Sequence, residues 1–183
     1  MKLTTLALTT SLAALATSAI AHSGATGMLL ERMNGMLAMG DATKAINPMM
    51  RGLQDYDAAH TTAYADVLRA HSGEAMLALF PEGMNAAPSV AKDEIWTNWA
   101  EFENLANELA LYSEALSLAS DNGLGEAAPA VTDMMGGDRS MMIGAAKEAP
   151  KTLDALALLP VNVLFTQAAQ TCSACHTQFR VEE

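Results

Sequence analysis

The chain has 183 residues, of which 10 are basic and 21 acidic, so its formal net charge is −11 at pH 7. This length suits one domain with a sizeable core. The acidic excess argues against binding to nucleic acid or to an anionic lipid surface, because like charges repel. A partner that is steered by charge is therefore expected to offer a basic patch.

The first 21 residues have the pattern of a secretory signal peptide. Lys2 gives a short basic start, the stretch from Leu6 to Ile20 is apolar with small residues, and Ala19-Ile20-Ala21 fits an A-x-A cleavage site. Threonine and serine interrupt the apolar stretch, which therefore lacks the roughly 18 uninterrupted apolar residues of a membrane span. We predict that residues 1–21 are removed and that residues 22–183 form one exported domain.

The rest of the chain favours helix, since Ala, Leu, Met and Glu are abundant and β-branched and aromatic residues are sparse. A first helical segment is predicted from about Thr26 to Ile46. Asn47-Pro48 predicts a break or kink, beyond which Met49 to Leu53 can continue the helix. A second segment is predicted to begin after Asp57, a suitable N-cap, and to end at Phe80-Pro81.

A third helical segment is predicted from about Asp93 to Ala119. Ser120 to Pro150 is rich in Gly, Ala and Met with weak periodicity, and we interpret it as a long irregular insertion. A fourth segment begins near Pro160, which is tolerated in a first turn. The sequence therefore predicts an all-α protein, an antiparallel four-helix bundle with a long insertion before its last helix.

The last predicted helix carries the strongest motif, Cys172-Ser173-Ala174-Cys175-His176, which contains both cysteines of the chain. A CxxCH run is the attachment motif of c-type haem. Two thiols three residues apart share a helix face, so each can form a thioether to a haem vinyl group. His176 then follows as the proximal axial ligand of the iron. We predict one covalently attached haem c held between the helices.

Three other interpretations of the two cysteines are a thioredoxin-like redox pair, half of a zinc site and a plain disulfide. The redox pair expects a βαβ context, which this helical pattern does not provide. A four-ligand zinc site needs a second Cys/His pair at ligand spacing, which the sequence lacks. The haem interpretation is therefore preferred.

These features resemble the class II cytochromes c, the family of cytochrome c′ and cytochrome c-556, in which CxxCH lies near the C-terminus of a four-helix bundle. The matching segments are Arg32-Met33-Asn34-Gly35-Met36, Met49-Met50-Arg51-Gly52, Tyr56-Asp57-Ala58, Phe80-Pro81-Glu82-Gly83, Glu94-Ile95-Trp96 and Cys172 to Arg180. The Ser120 to Pro150 insertion is longer than the usual connection. The resemblance implies a periplasmic protein.

The resemblance also implies roles for particular residues. Cytochromes c′ carry an apolar residue four positions after the helix-one arginine, whereas the c-556 type carries a methionine there, as Met36 follows Arg32. Met36 also lies on the inward stripe of its helix, and a thioether is a soft ligand suited to haem iron. Arg32 is expected at a haem propionate, Trp96 against the haem, and Arg180 on the proximal side, four residues after His176.

The leading functional prediction is a low-spin electron carrier whose iron is ligated by His176 and Met36. Its redox partner would be a periplasmic protein with a basic patch. A first alternative is a five-coordinate, gas-binding protein of the cytochrome c′ type. A second is a copper-handling protein that uses Met134-Met135 and Met141-Met142. The sequence shows no nucleophile with a base, no phosphate loop and no carboxylate pair for acid/base chemistry, so no enzyme is predicted. The resemblance is compatible with a homodimer and does not decide the oligomeric state.

Overall fold

A computed structural model describes residues 24–125 and 151–181. Its α-helices are α1 (Gly27–Met50), α2 (Ala58–Ala70), α3 (Gly73–Leu77), α4 (Glu94–Thr97), α5 (Trp99–Leu118), α6 (Leu153–Leu156) and α7 (Val161–Phe179), with a 3-10 turn at Ser120–Asn122. The signal peptide predicted at residues 1–21 lies outside the described residues.

The first predicted segment forms one helix, α1, that runs through Pro48 without a break. Pro48 lies in the last turn, where its missing N–H removes only one intrahelical bond. The Pro48 carbonyl accepts a hydrogen bond from the Leu53 amide at 2.9 Å, and Gly52 adopts a φ of +68°. This left-handed glycine ends the helix.

The second predicted segment is divided into α2 and α3. Asp57 caps α2 as predicted, since its carboxylate accepts hydrogen bonds from the amides of Ala59 and His60 at 2.8 and 3.3 Å. The chain leaves the helix at His71, and Gly73 begins α3 with a φ of +55°. Glycine permits this conformation, which side chains oppose.

The third predicted segment is also divided, into α4 and α5, at Asn98. The Asn98 backbone takes φ −125° and ψ 47°, outside the helical region, although the apolar pattern continues on both sides. Of the predicted insertion, residues 126–150 lie outside the described residues. α6 lies after it, and α7 begins at Val161 with Pro160 in the N-cap position.

The predicted all-α four-helix bundle is confirmed. α5 packs against α2, α3 and α7, while α1 packs against α2 and α7. Phe102 of α5 lies at the centre of an aromatic group, with ring centroids 4.8 Å from Phe80 and 5.5 Å from Phe179. Within residues 24–125 and 151–181, every helix is too short or too polar to cross a lipid bilayer.

Candidate haem site

A cavity of about 500 Å³ lies between α1, α7 and the loop that precedes α4. One face of α1 forms much of its wall, with Arg32, Met33, Met36, Leu37, Gly40 and Lys44. These residues recur every three or four positions, so they share one side of the helix. A volume of this size is typical of a pocket that holds a cofactor.

α7 brings the haem motif to the same cavity. Cys175, His176 and Phe179 line it, as does Arg180 just beyond the helix end. Cys172 packs against the hydrophobic core one turn earlier. No disulfide bond joins the two cysteines. The structure thus places the attachment motif beside a cavity between the helices, as haem attachment requires.

The thiols do not have the properties of a reactive redox pair. Burial raises the pKa of Cys172, and burial together with the neighbouring Cys172 raises the pKa of Cys175 to about 11. A catalytic CxxC instead lowers a thiol pKa so that the thiolate forms near neutral pH. The alternative of a thioredoxin-like site therefore finds no support in this environment.

His176 presents an imidazole in the form that binds a metal. It lines the cavity while its ring stays partly exposed, and burial followed by the positive charge of Arg180 lowers its pKa. A lowered pKa keeps the imidazole neutral at physiological pH, and the neutral ring is the metal-ligating form.

Arg32 is buried in the cavity wall with polar atoms that have no protein partner among the described residues. Its Nη2 donates a hydrogen bond to the Met84 carbonyl at 3.1 Å, and its Cζ lies 4.2 Å from the centroid of the Phe80 ring. Its Nε and Nη1 atoms have no hydrogen-bond partner, and burial lowers its pKa. A buried cation with two unused donors is suited to an anionic group.

The charge of the cavity supports the same conclusion. Within the described part of the chain, three basic residues line it, namely Arg32, Lys44 and Arg180, and no acidic residue does. In a chain with a net charge of −11, this local excess of positive charge is unusual. Haem carries two propionate groups, so the basic lining, the two thiols and the imidazole together fit haem c.

The structure assigns the aromatic residues differently from the sequence. Trp96 lies outside the cavity lining, and its indole Nε1 donates a hydrogen bond to the Phe80 carbonyl at 3.0 Å. Its neighbour Ile95 lines the wall instead, since successive residues of a helix point in different directions. Phe80 and Phe102 also line the cavity and were not among the predicted site residues.

Two further groups of residues were missed. Lys44 continues the Met36–Gly40 stripe by one more turn of α1, so helical spacing could have found it. The loop residues Pro88, Ser89, Val90 and Ala91 also line the cavity. They carry no motif, and only the folded chain brings them to α7.

Other candidate metal ligands stay apart. Among the described residues, no group of three or more His, Cys, Asp and Glu side chains could hold a metal ion. His60 pairs with Asp57, with Nδ1 and Oδ2 3.2 Å apart. The methionine pairs proposed to bind copper, at 134–135 and 141–142, lie outside the described residues.

A helical bundle whose last helix presents CxxCH to a cavity between its helices defines a class of haem-binding proteins with a covalently attached cofactor. Comparison with family models identifies the family, because residues 28–138, more than half of the chain, match the model described as Cytochrome C′. The chain belongs to the cytochrome c′ family. Members of this family bind one covalently attached haem c, and the predicted cofactor is confirmed. A sequence comparison with curated proteins finds no match.

Solved structures share the fold. Cytochrome c prime from Alcaligenes xylosoxidans is 21% identical, with a TM-score of 0.57, and the match covers 85% of this chain and 94% of that one. Cytochrome c′ from Thermochromatium tepidum is 21% identical, with a TM-score of 0.58 and coverage of 85% and 95%. A nitric oxide complex of a variant of the Alcaligenes xylosoxidans protein is 21% identical, with a TM-score of 0.57 and coverage of 85% and 94%.

These comparisons correct one prediction. The low-spin electron carrier ligated by His176 and Met36 is wrong, since the family match and the solved structures point to the cytochrome c′ type. A methionine on an inward stripe packs as readily as it ligates. The Met36 side chain does pack against the hydrophobic core, so its place in the cavity needs no bond to iron.

Proposed function

We propose that this protein binds small neutral gas molecules, of the class of carbon monoxide and nitric oxide, at a haem iron held by His176. Haem c tethered by Cys172 and Cys175 would supply an iron that binds such ligands wherever an axial position is free. The observation that carries the proposal is the composition of the cavity: among the described residues that line it, His176 has the only imidazole, and the α1 wall around Met36 is largely apolar.

The residues that line the cavity would have three separate roles. The neutral imidazole of His176 would hold the iron from the α7 side. Arg32 would direct its unused donors toward a propionate, and Lys44 and Arg180 would add positive charge around the same group. Met33, Met36 and Leu37 would keep water from the ligand site, which favours an uncharged ligand over an anion.

The ligand class has support from the structural relatives. One of them, a variant of the Alcaligenes xylosoxidans protein, was solved with nitric oxide bound. That structure shows nitric oxide binding by that protein. For this chain the argument rests on its own cavity, whose α1 wall offers no second imidazole and no thiolate among the described residues. A site with one strong protein ligand leaves room for an external one. We propose binding rather than catalytic turnover.

Met36 would fill space beside the ligand site without holding the iron. This proposal is tested with Met36→Leu, which keeps the volume and removes the sulfur, and with Leu37→Met as a matched control on the same wall. We expect high-spin ferrous spectra and carbon monoxide affinities within about threefold for wild type and both variants, because volume-conserving swaps perturb packing little. A low-spin wild type that becomes high-spin only in Met36→Leu would contradict the proposal.

We further propose that the protein works in the periplasm after removal of residues 1–21, since an export signal at one end of the chain and a haem-attachment motif at the other both suit an exported cytochrome.

A reductant would have to keep the iron ferrous, and the net charge of −11 favours a donor protein with a basic patch. A homodimer through α1 and α2 is the proposed assembly. Mass spectrometry of the mature protein tests the first point, and sedimentation tests the last.

A further inference from the structure

The aromatic contacts of Phe102 connect the cavity with the surface of α5. Phe102 is 1% exposed and lines the cavity. Trp99 packs against it, with ring centroids 5.6 Å apart and ring planes at 48°. Trp99 is only half-buried and lies outside the cavity lining, so part of its indole reaches solvent. The two rings therefore form a continuous aromatic path from the protein surface to the wall of the haem cavity.

The other ring contacts among the described residues do not make this connection. Phe80 and Phe179 contact the same ring, but both are buried and line the cavity themselves. Tyr64 and Phe165 contact each other, and neither lines the cavity. Of these rings, Trp99 alone meets both solvent and the cavity wall. Packed rings couple an electron donor to an acceptor better than a gap does, so Trp99 is placed to connect the haem with a partner outside.

The surface around Trp99 is acidic. Glu103 follows Trp99 by one helical turn, so the two side chains share a face of α5, and Glu103 is exposed. Asp93 and Glu94, which precede Trp99, are exposed as well. Residues 93–125 contain no lysine, arginine or histidine. This surface therefore favours a positively charged partner.

The lining of the cavity has the opposite charge. Arg32, Lys44 and Arg180 are its basic residues, and it has no acidic residue within the ranges that the structure describes. Even with the two propionates of a haem bound there, three positive charges leave no negative excess. A basic partner is therefore attracted to the surface around Trp99 and not to the opening of the cavity.

We propose that the electron donor of this protein is a basic protein that docks on the acidic surface around Glu103 and contacts Trp99. The donor loses one electron, which passes along Trp99 and Phe102 to the ferric haem and reduces it to the ferrous form. No proton is transferred. The inference rests on the proposed function, because carbon monoxide binding requires ferrous iron, and it adds the place where the reductant binds.

Reduction of the ferric holoprotein by two small one-electron donors of opposite charge tests the route. Hexaammineruthenium(II), a dication, takes the place of the basic protein, and dithionite is the anionic donor. We expect Trp99→Leu to lose most of the rate with the ruthenium complex, because the aromatic path is interrupted, and Trp99→Phe to keep it. Dithionite, which is attracted to the basic opening, should reduce wild type and both variants equally, and this also shows that the haem sites are intact.

Glu103→Gln tests the docking surface, and Glu114→Gln is its matched control. Both glutamates are exposed on α5, and Glu114 lies about 16 Å further along the helix. We expect Glu103→Gln to lower the second-order rate constant with the ruthenium complex about threefold at low ionic strength. The difference should vanish at high salt, because exposed charges are screened. Glu114→Gln should change the rate constant less.

A redox-inert cation locates the surface without electron transfer. Hexaamminechromium(III) is paramagnetic and broadens the NMR signals of groups near which it binds. The chain has two tryptophans, so the indole N–H signal of Trp99 is identified by its loss in Trp99→Phe and compared with that of Trp96. We expect the Trp99 signal to broaden at a lower concentration of the cation.

Three results would each overturn the inference. They are an unchanged ruthenium rate in Trp99→Leu, an equal loss of rate with both donors in that variant, and equal broadening of the two indole signals. Equal effects of Glu103→Gln and Glu114→Gln would likewise remove the docking surface. All of these leave the proposed function in place, which fails instead if ferrous wild type binds no carbon monoxide.

Discussion

The backbone amide of Lys92 donates a hydrogen bond to the carbonyl of Phe179 at 2.8 Å. A second bond of 2.8 Å runs from the Val181 amide to the Val90 carbonyl, and between them Ala91 and Arg180 form an isolated antiparallel bridge. The loop that lines the cavity is thereby fixed to the end of the helix that carries CxxCH. Two segments far apart in sequence thus form one wall of the haem site.

Lys92→Pro should loosen this wall, because proline cannot donate the backbone bond to Phe179. We expect the unfolding free energy to fall by about 1–3 kcal/mol, the cost of leaving a buried acceptor unpaired. Lys92→Ala is the control, since it keeps the amide and loses only the side-chain bond from Nζ to the Thr177 carbonyl at 3.3 Å. Equal losses in the two variants, measured by denaturant titration, would show that the backbone bond contributes nothing.

Arg32→Ala should lower both the unfolding free energy of the protein and the reduction potential of its haem. The side chain is 5% exposed and gives a charged hydrogen bond to Met84, so its removal should cost about 1.5–3 kcal/mol. Loss of a buried positive charge should also lower the reduction potential, because that charge favours the reduced iron. Redox titration measures the shift.

Arg51→Ala is the matched control for that variant. Arg51 caps the end of the same helix and is exposed to solvent. Its removal eliminates one positive charge from the chain without touching the cavity. If both variants lowered the potential equally, the position of Arg32 beside the cavity would be irrelevant to the haem.

The buried hydroxyl of Tyr64 should cause the unfolding free energy of the protein to fall at alkaline pH. Burial raises its pKa to about 12, although a hydrogen bond with Thr43 acts in the opposite direction. The folded protein therefore keeps a proton that the unfolded chain loses above about pH 10, and stability falls as the pH rises from there toward 12. The decline should be on the order of 2 kcal/mol.

Tyr64→Phe tests this assignment, because phenylalanine keeps the ring that contacts Phe165 with centroids 5.8 Å apart. Unfolding free energies at pH 8 and pH 11 should differ less in the variant than in wild type. Tyr56 and Tyr112 also have raised pKa values, for which burial is the main cause, so some decline should remain. If the difference in unfolding free energy between pH 8 and pH 11 were the same in Tyr64→Phe as in wild type, the loss of stability would belong to Tyr56 and Tyr112.

Sequence patterns predicted the parts of the fold that depend on local chemistry. Asp57 was found as a cap because a carboxylate before a helical run binds free amides. Helical spacing placed Met36 on the inward stripe of α1, and the family resemblance implied a place at the haem for Arg32, which lines the same cavity. The divisions at His71 and Asn98 were missed because the apolar pattern continues through them, and only the backbone angles show the change.

The site was harder to predict where it depends on contacts between distant segments. Phe80 stacks on Arg32 and so enters the cavity wall, which spacing along one helix could not reveal. The sequence also could not decide whether Met36 ligates the iron or only packs against its neighbours, since a thioether serves both purposes. The family comparison decided against the carrier, and the structure shows Met36 packed against the core.

Attachment of the cofactor should depend on both thiols. Cys172→Ser and Cys175→Ser should each lose one thioether, and the double variant should release its haem into acidified organic solvent, because only covalent bonds survive that treatment. Ser173→Ala, between the two cysteines, is the control and should retain haem fully. Covalent haem in the double variant, detected by mass spectrometry, would contradict the assigned attachment.

The ferrous absorption spectrum of the wild-type holoprotein, recorded before and after addition of carbon monoxide, tests the central claim most directly. A high-spin spectrum that changes at once to that of a carbon monoxide complex is the predicted result, because His176 would be the sole protein ligand. A low-spin ferrous spectrum that carbon monoxide leaves unchanged would show that a second side chain holds the iron, and would contradict the account.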